Sequence, residues 1–293
     1  MTEATAIDYA AAVAGGCDVL LVTLDALRLD AARLAKAEGR TPHLSRLLPG
    51  GWEARHSPGS FTYAAHAALF AGFWPTPADA ADRRRAGALE RPFAVAGVPS
   101  RSVGPRTCRL PGASVPEGLA ARGYRTVCVG GVGFFDGRSP LGRQFPALFE
   151  ASRWEADFAP TSARAPAAQS AAAAEEVTAA PADRPLLLFL NASATHPPTR
   201  LFAPPGSEES VATQAAAAAA FDRPFGGVLA AFAGRRRPLL AFVTSDHGTA
   251  FGDDGYQGHR LAHPAVWLVP YAERLLSAEE VRALDDPART GAA

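Results

Sequence analysis

Ala241-Phe242-Val243-Thr244-Ser245-Asp246-His247-Gly248 is a short apolar, β-prone run that ends in a carboxylate, an imidazole and a glycine. Read as a strand, it delivers Asp246 and His247 side by side at its carboxyl end. Both side chains can turn toward one cation there, and Gly248 permits a tight exit. His259 and His263 follow, the second just before Pro264. A matching run lies near the start: Asp18 to Leu24 (DVLLVTL) is continuously apolar and ends on Asp25. Such a run is expected of a strand covered on both faces of a parallel sheet. A third, Leu186 to Leu190, leads into Asn191-Ala192-Ser193-Ala194-Thr195-His196-Pro197-Pro198. In open α/β sheets ligands sit at the carboxyl ends of the strands. Asp25, His196 and the Asp246-His247 pair all fall at such ends.

Between these runs the spacing turns helical: Arg28 to Glu38, a short stretch up to Leu48, Ala64 to Ala71 before Gly72, and residues 211–233. Gly123-Tyr124-Arg125-Thr126 leads into a further strand at Val127-Cys128-Val129, and Ala265 to Val269 reads as one more. Strands alternating with helices predict an α/β fold with a mostly parallel central sheet between two helical layers. Residues 151–183 are poor in large apolar side chains and read as a peripheral helix with linkers. Residues 78–92 are rich in Ala, Asp and Arg and read as solvent-facing. Gly130-Gly131-Val132-Gly133 forms a loop, either a plain turn or a phosphate cradle.

The chain has 293 residues, 48% of them hydrophobic, which suits one large α/β domain over residues 1–293. Its 29 basic and 29 acidic residues cancel, which argues against nucleic acid or an acidic membrane as a partner bound by bulk charge. An anionic small substrate needs only local charge. Cys17, Cys108 and Cys128 show no disulfide spacing, and Met1 to Ala14 has no secretory pattern. No stretch approaches the ~20 apolar residues of a membrane span. The cytoplasm is the expected location.

Ser57-Pro58-Gly59-Ser60-Phe61-Thr62-Tyr63-Ala64-Ala65-His66 sets two hydroxyls just before a helix. Thr62 there suits a helix cap. It equally suits a nucleophile, because free N–H groups and the helix dipole stabilise an anionic oxygen.

Taken in order, these stretches resemble the alkaline phosphatase superfamily on its sulfatase-like and phosphodiesterase side. Val19 to Asp25 is similar to the first strand with its metal-binding Asp. Thr41-Pro42-His43-Leu44-Ser45-Arg46-Leu47 is similar to the family's Thr-Pro-Asn-Leu segment, and Thr62 to Gly72 keeps the nucleophile-to-glycine spacing. Gly123 to Thr126, Thr195-His196-Pro197-Pro198 and Ser245-Asp246-His247-Gly248 complete the set, which spans residues 18–270.

The resemblance implies an alkaline-phosphatase-like α/β/α fold without the separate C-terminal subdomain of many sulfatases. It also implies one metal site from Asp25, Thr62, Asp246 and His247, holding Zn²⁺ or Mn²⁺. Thr62 would attack a phosphate ester, mono- or diester, and water would resolve the phospho-threonine. His196 and His259 read as contacts to the transferred group, or as second-site ligands together with His263. His263 equally suits a packed loop histidine, and His66 either orients the nucleophile or substrate or is structural. Two-metal relatives keep an Asp four residues before the His of the His-x-Pro loop. Here that position is Ala192, with Asn191 one place further back.

The aldehyde-forming Cys/Ser-x-Pro-x-Arg signature of oxidised-cysteine sulfatases is replaced by Thr62-Tyr63-Ala64-Ala65-His66. A phosphoryl or headgroup transferase or mutase, a sulfatase or phosphonate hydrolase, and a non-catalytic metal-containing partner protein stand as alternatives. The resemblance is strongest to small bacterial sulfatase-like hydrolases. It implies a small-molecule phosphate ester as substrate, with a homodimer or a biosynthetic pathway partner completing the pocket.

Overall fold

The apolar runs that flank the candidate ligands lie next to one another at the centre of a sheet. The protein is described by a computed structural model over residues 6–72 and 114–285. In chain order its strands are β1 (Asp18–Leu24), β2 (Glu53–His56), β3 (Arg125–Val129), β4 (Ala151–Arg153), β5 (Leu186–Ala192) and β6 (Leu239–Thr244). A small pair, β7 (Ala250–Phe251) and β8 (Gln257–Gly258), precedes β9 (Leu268–Leu276). The main sheet is seven-stranded, ordered β2-β9-β6-β1-β5-β3-β4. β6, β1, β5, β3 and β4 run parallel, whereas β9 lies antiparallel to β6 and β2 antiparallel to β9. The fold is therefore α/β with a mostly parallel central sheet.

Alternation along the central strands divides the core in two, because successive side chains point to opposite faces. Leu20, Val22, Leu24, Leu188, Leu190 and Val243 join the core under helices Leu29–Ala37, Ala165–Ala179 and Val211–Arg235. Val19, Leu187, Phe189 and Leu240 join the other core, with Ala67 and Phe70 of helix Thr62–Ala71. Both faces are dry, which explains why these strands read as unbroken apolar runs.

Two expectations need correction. Helix Ala165–Ala179 is not peripheral: Gln169, Ser170, Ala172, Ala173 and Val177 are buried, and the helix packs along Val211–Arg235. Its small side chains let the two helices approach closely, and an alanine face has too little polarity contrast to signal burial. The Ala265–Val269 strand is also displaced. Pro264–Trp267 forms a helical turn, with Pro264 at the first position and the His263 ring accepting the Ala265 N–H, and the strand starts at Leu268. Proline's fixed φ suits that first turn. Residues 78–92 and Cys108 lie outside the described residues.

Candidate metal centre and active site

β1 and β6 are in parallel register, with Thr23 opposite Thr244. The residues that follow, Asp25 on one strand and Asp246-His247 on the other, are thus brought together by the sheet itself. All three side chains are completely buried. One ligand atom from each lies within 4.8 Å of the others. His247 Nε2 is 3.5 Å from Asp246 Oδ2 and 3.9 Å from Asp25 Oδ1. His247 Nδ1 sits 2.8 Å from the Gly248 carbonyl, which can only accept, so Nδ1 carries the proton and Nε2 presents a lone pair.

The remaining contacts fix each carboxylate by one oxygen and leave the other free. Asp25 Oδ2 accepts from Asn191 Nδ2 at 2.9 Å, and Asp246 Oδ1 accepts from the Ala26 N–H at 3.1 Å. Ala26 reaches that position with φ 58°, the left-handed region. Asp25 Oδ1 and Asp246 Oδ2 are buried with no hydrogen-bond partner among the described residues. Two orphan carboxylate oxygens converging beside an imidazole lone pair are costly unless a cation lies between them. The donor set of oxygens and one imidazole suits Zn²⁺ or Mn²⁺. Without an ion, burial, joined by the Asp246 charge, raises the Asp25 pKa, and burial pushes Asp246 up to about 7. Burial lowers that of His247.

Gly248 serves a different purpose from the tight turn expected of it. A Cβ there would lie 2.1 Å from the Ala265 carbonyl oxygen, and the Gly248 N–H donates to the Val266 carbonyl at 2.7 Å. Close packing against the turn before β9 demands the glycine.

Thr62 is the first residue of helix Thr62–Ala71, with Phe61 at the cap position and no side chain capping the first turn. Its hydroxyl therefore does not cap the helix. It points at the cluster, with Oγ1 3.3 Å from His247 Nε2.

His66, one turn on, is completely buried. Its Nδ1 donates to the Thr62 carbonyl at 2.8 Å, so Nε2 accepts from the Thr23 hydroxyl at 3.0 Å. The Thr23 oxygen in turn accepts from Asn191 Nδ2 at 3.2 Å. Asn191 thereby links the ligand Asp25 to the helix that carries Thr62. Burial pushes the His66 pKa down to about 3 and keeps the ring neutral. His66 thus bonds the Thr62 carbonyl and is not among the residues lining the cavity onto which Thr62 opens.

His196 and His259 also reach the site. The His259 ring centroid is 4.7 Å from that of His247 and 5.6 Å from that of His196. Burial, with His247 nearby, pushes His259 down to about 4. His196 Nδ1 lies 2.6 Å from the Pro197 carbonyl and so carries the proton, leaving an Nε2 lone pair. Both histidines and Thr62 open onto a cavity of about 370 Å³, which Arg260 also lines.

His263 is not brought to this cluster. Its Nδ1 accepts the Ala265 N–H at 3.1 Å and its Nε2 meets Asp254 at 3.1 Å, so both ring nitrogens are engaged at the head of a helical turn. In the glycine loop, close packing explains Gly130 and Gly131, where an added Cβ would meet Phe135 at 2.2 Å and the Asn191 carbonyl at 2.5 Å. The Gly130 and Val132 N–H groups already donate to the Arg153 carbonyl and Asn191 Oδ1, while Val132 and Gly133 line the cavity.

Sequence reasoning missed the amide side chains that hold the frame. Gln214 Nε2 donates to the carbonyls of Ala26 (2.7 Å) and Thr195 (3.0 Å), tying the exits of β1 and β5 together. Asn191 carried a faint signal, a polar residue at the end of an apolar run. Arg260 carried none.

No curated protein matches the sequence. Among solved structures, the fold is similar to the soluble domain of lipooligosaccharide phosphoethanolamine transferase A from Neisseria meningitidis. The TM-score is 0.62 at 14% identity, over 92% of this chain and 80% of that one. It is also similar to the C-terminal periplasmic domain of EcEptC from Escherichia coli in complex with Zn, at TM-score 0.55 and 14% identity, over 92% of this chain and 75% of that one. A protein of the alkaline phosphatase superfamily from Vibrio parahaemolyticus aligns at TM-score 0.52 and 15% identity, over 89% of this chain and 61% of that one. No helix among the described residues is long and apolar enough to cross a membrane. Residues 18–273 match the sulfatase family, and the chain belongs to that family.

Proposed function

We propose that the protein is a metal-dependent enzyme that cleaves a small phosphate ester through a phospho-threonine at Thr62. The observation that carries this reading is the convergence of two orphaned carboxylate oxygens and the His247 lone pair beside an uncapped helix start bearing a hydroxyl. Asp25, Asp246, His247 and Thr62 Oγ1 would hold one Zn²⁺ or Mn²⁺. Asn191 Nδ2 already donates to Asp25 Oδ2, so this amide stands near where two-metal relatives have a carboxylate. A bound ion would lower the hydroxyl pKa of Thr62 and offset charge on the transferred group.

The chain's own residues supply the rest. Thr62 Oγ forms the bond to phosphorus as the bond to the ester oxygen breaks. Protonated His196 gives its Nε2 proton to the departing oxygen. The neutral ring left behind takes a proton from the water that cleaves the phospho-threonine and releases phosphate. His259 faces the transferred group beside it.

A second acceptor, an alcohol in place of water, is favoured by the likeness to domains named as phosphoethanolamine transferases, which at this identity is a likeness of fold. Product analysis separates the two: free phosphate against a phosphorylated acceptor. A cytoplasmic location rests on Cys17 and Cys128, both free and buried, and cell fractionation tests it.

The decisive experiment incubates metal-loaded protein with aryl phosphates and looks for a phosphorylated Thr62 peptide by mass spectrometry. Thr62→Ala is expected to abolish the adduct and lower turnover by on the order of 10⁴-fold or more. Undiminished turnover in that variant would remove Thr62 from the mechanism and leave Ser60 as the next hydroxyl.

A further inference from the structure

The metal centre leaves one strong charge beside it unexplained. Arg260, next to His259, has φ 70°, a left-handed conformation that costs a side-chain-bearing residue roughly 1–2 kcal/mol. It is held there by donating its N–H to the Ser60 carbonyl at 2.8 Å, two residues before Thr62. Its guanidinium lies over the Phe61 ring at 4.9 Å from the centroid. Strain of this kind persists where surrounding contacts over-determine the backbone, and functional sites are where it concentrates.

The arginines of the framework are paired: Arg28 with Asp30 and Asp253, Arg153 with Glu175, Arg235 with Asp18. Among the described residues, no carboxylate pairs with Arg260. Its fork of donors, permanently charged, is left for a ligand. The cavity it shares with Thr62, His196 and His259 continues along Phe134, Leu141 and Pro160. The lining therefore combines cationic and imidazole groups and the nucleophile with apolar side chains. At about 370 Å³ the space is near the small end of ligand pockets.

We propose that Arg260 is the anion-binding residue of this pocket, taking nonbridging oxygens of the phosphate that Thr62 attacks, while the compact apolar body of the ester lies against Phe134, Leu141 and Pro160. The inference rests on the reading of Thr62 as nucleophile and names what that site selects: a small phosphate ester with an apolar organic part. Arg260 supplies a permanent charge beside the two imidazoles, and the Phe61 ring beneath it keeps the guanidinium beside the helix start.

The test is calorimetry of inorganic phosphate and phenyl phosphate binding to metal-loaded wild type, Arg260→Gln and Arg260→Lys, with metal content and thermal midpoint measured alongside. Arg260→Gln is expected to bind both ligands about 10–100-fold more weakly, with Arg260→Lys between, and with metal content unchanged. If wild type binds phosphate and Arg260→Gln binds it within twofold, the proposal is overturned while the Thr62 reading stands. Binding of phenyl phosphate that is unchanged, with loss confined to a carboxyphenyl phosphate, also overturns it, since the guanidinium then meets a second anion. Wild type that takes up no phosphate overturns the proposal together with the reading beneath it.

Discussion

The proposed metal-binding half of the site and its proposed substrate-facing half are built by different means. Asp25, Asp246 and His247 issue from neighbouring central strands, are wholly buried, and have their free atoms set by hydrogen bonds to Asn191, Ala26 and Gly248. His196, His259 and Arg260 stand on loops and are partly or largely exposed; the two histidine rings meet each other, and Arg260 meets Ser60 and Phe61. Sheet register places the first set with little freedom. Loops place the second set, so on the proposed function selectivity would reside there.

The sharpest break of this contrast is Asp246→Asn. Metal content should fall toward zero and turnover by on the order of 10³-fold or more, read by elemental analysis and aryl phosphate hydrolysis. The same change should stabilise the metal-stripped protein by about 1–2 kcal/mol at pH 8, because it removes a buried charge and turns an amide donor toward the His247 lone pair. That corresponds to a rise of roughly 2–8 °C in the thermal midpoint. No loop substitution should show this opposition between the metal-free and loaded protein.

The pH dependence of stability should separate the halves next. Asp25 and Asp246 are held above the ordinary carboxylate range by burial, Asp246 up to about 7. Without metal, the folded state keeps protons that the unfolded chain has already lost above about pH 4, so stability should decline as pH rises from there to about 7. Metal loading holds both carboxylates ionised and should reverse the trend. Thermal midpoints of stripped and loaded protein between pH 4.5 and 8 check both signs.

His66→Phe comes third. The new ring suits the neighbouring Phe135 and Phe189, but the Thr23 hydroxyl and the Thr62 carbonyl each lose a partner. A stability loss of about 2 kcal/mol and a roughly tenfold fall in kcat/KM are expected. The pH profile should not move, since the ring it replaces is neutral throughout. The smallest effect belongs to His263→Ala: metal content unchanged, activity within about twofold, and about 1 kcal/mol lost with the cap of the Pro264–Trp267 turn. Loss of metal in that variant would return His263 to the ligand set.

What the chain discloses before folding follows the same division. β1, β5 and β6 announce themselves because strands covered on both faces must be apolar throughout, and Asp25 and Asp246-His247 stand out because they end such runs. Helix Ala165–Ala179 hid because burial through alanine leaves no contrast to read. β9 hid because Pro270 and the charged Glu273 and Arg274 interrupt its apolar pattern. Arg260 has no spacing relation to Thr62; only a backbone bond to Ser60 and a fold that closes 200 residues of chain put them in one pocket.

Gly248 carries a consequence for how this site tolerates change. Because Gly248 abuts the Ala265 carbonyl and bonds the Val266 carbonyl, a side chain there would first dislodge the turn that launches β9. β9 joins β6 to β2, so a defect beside the ligands would spread along the sheet margin as faster amide exchange in β2 and β9. Catalytic motif and sheet border are thus a single mutational unit, and substitutions that suit one are constrained by the other.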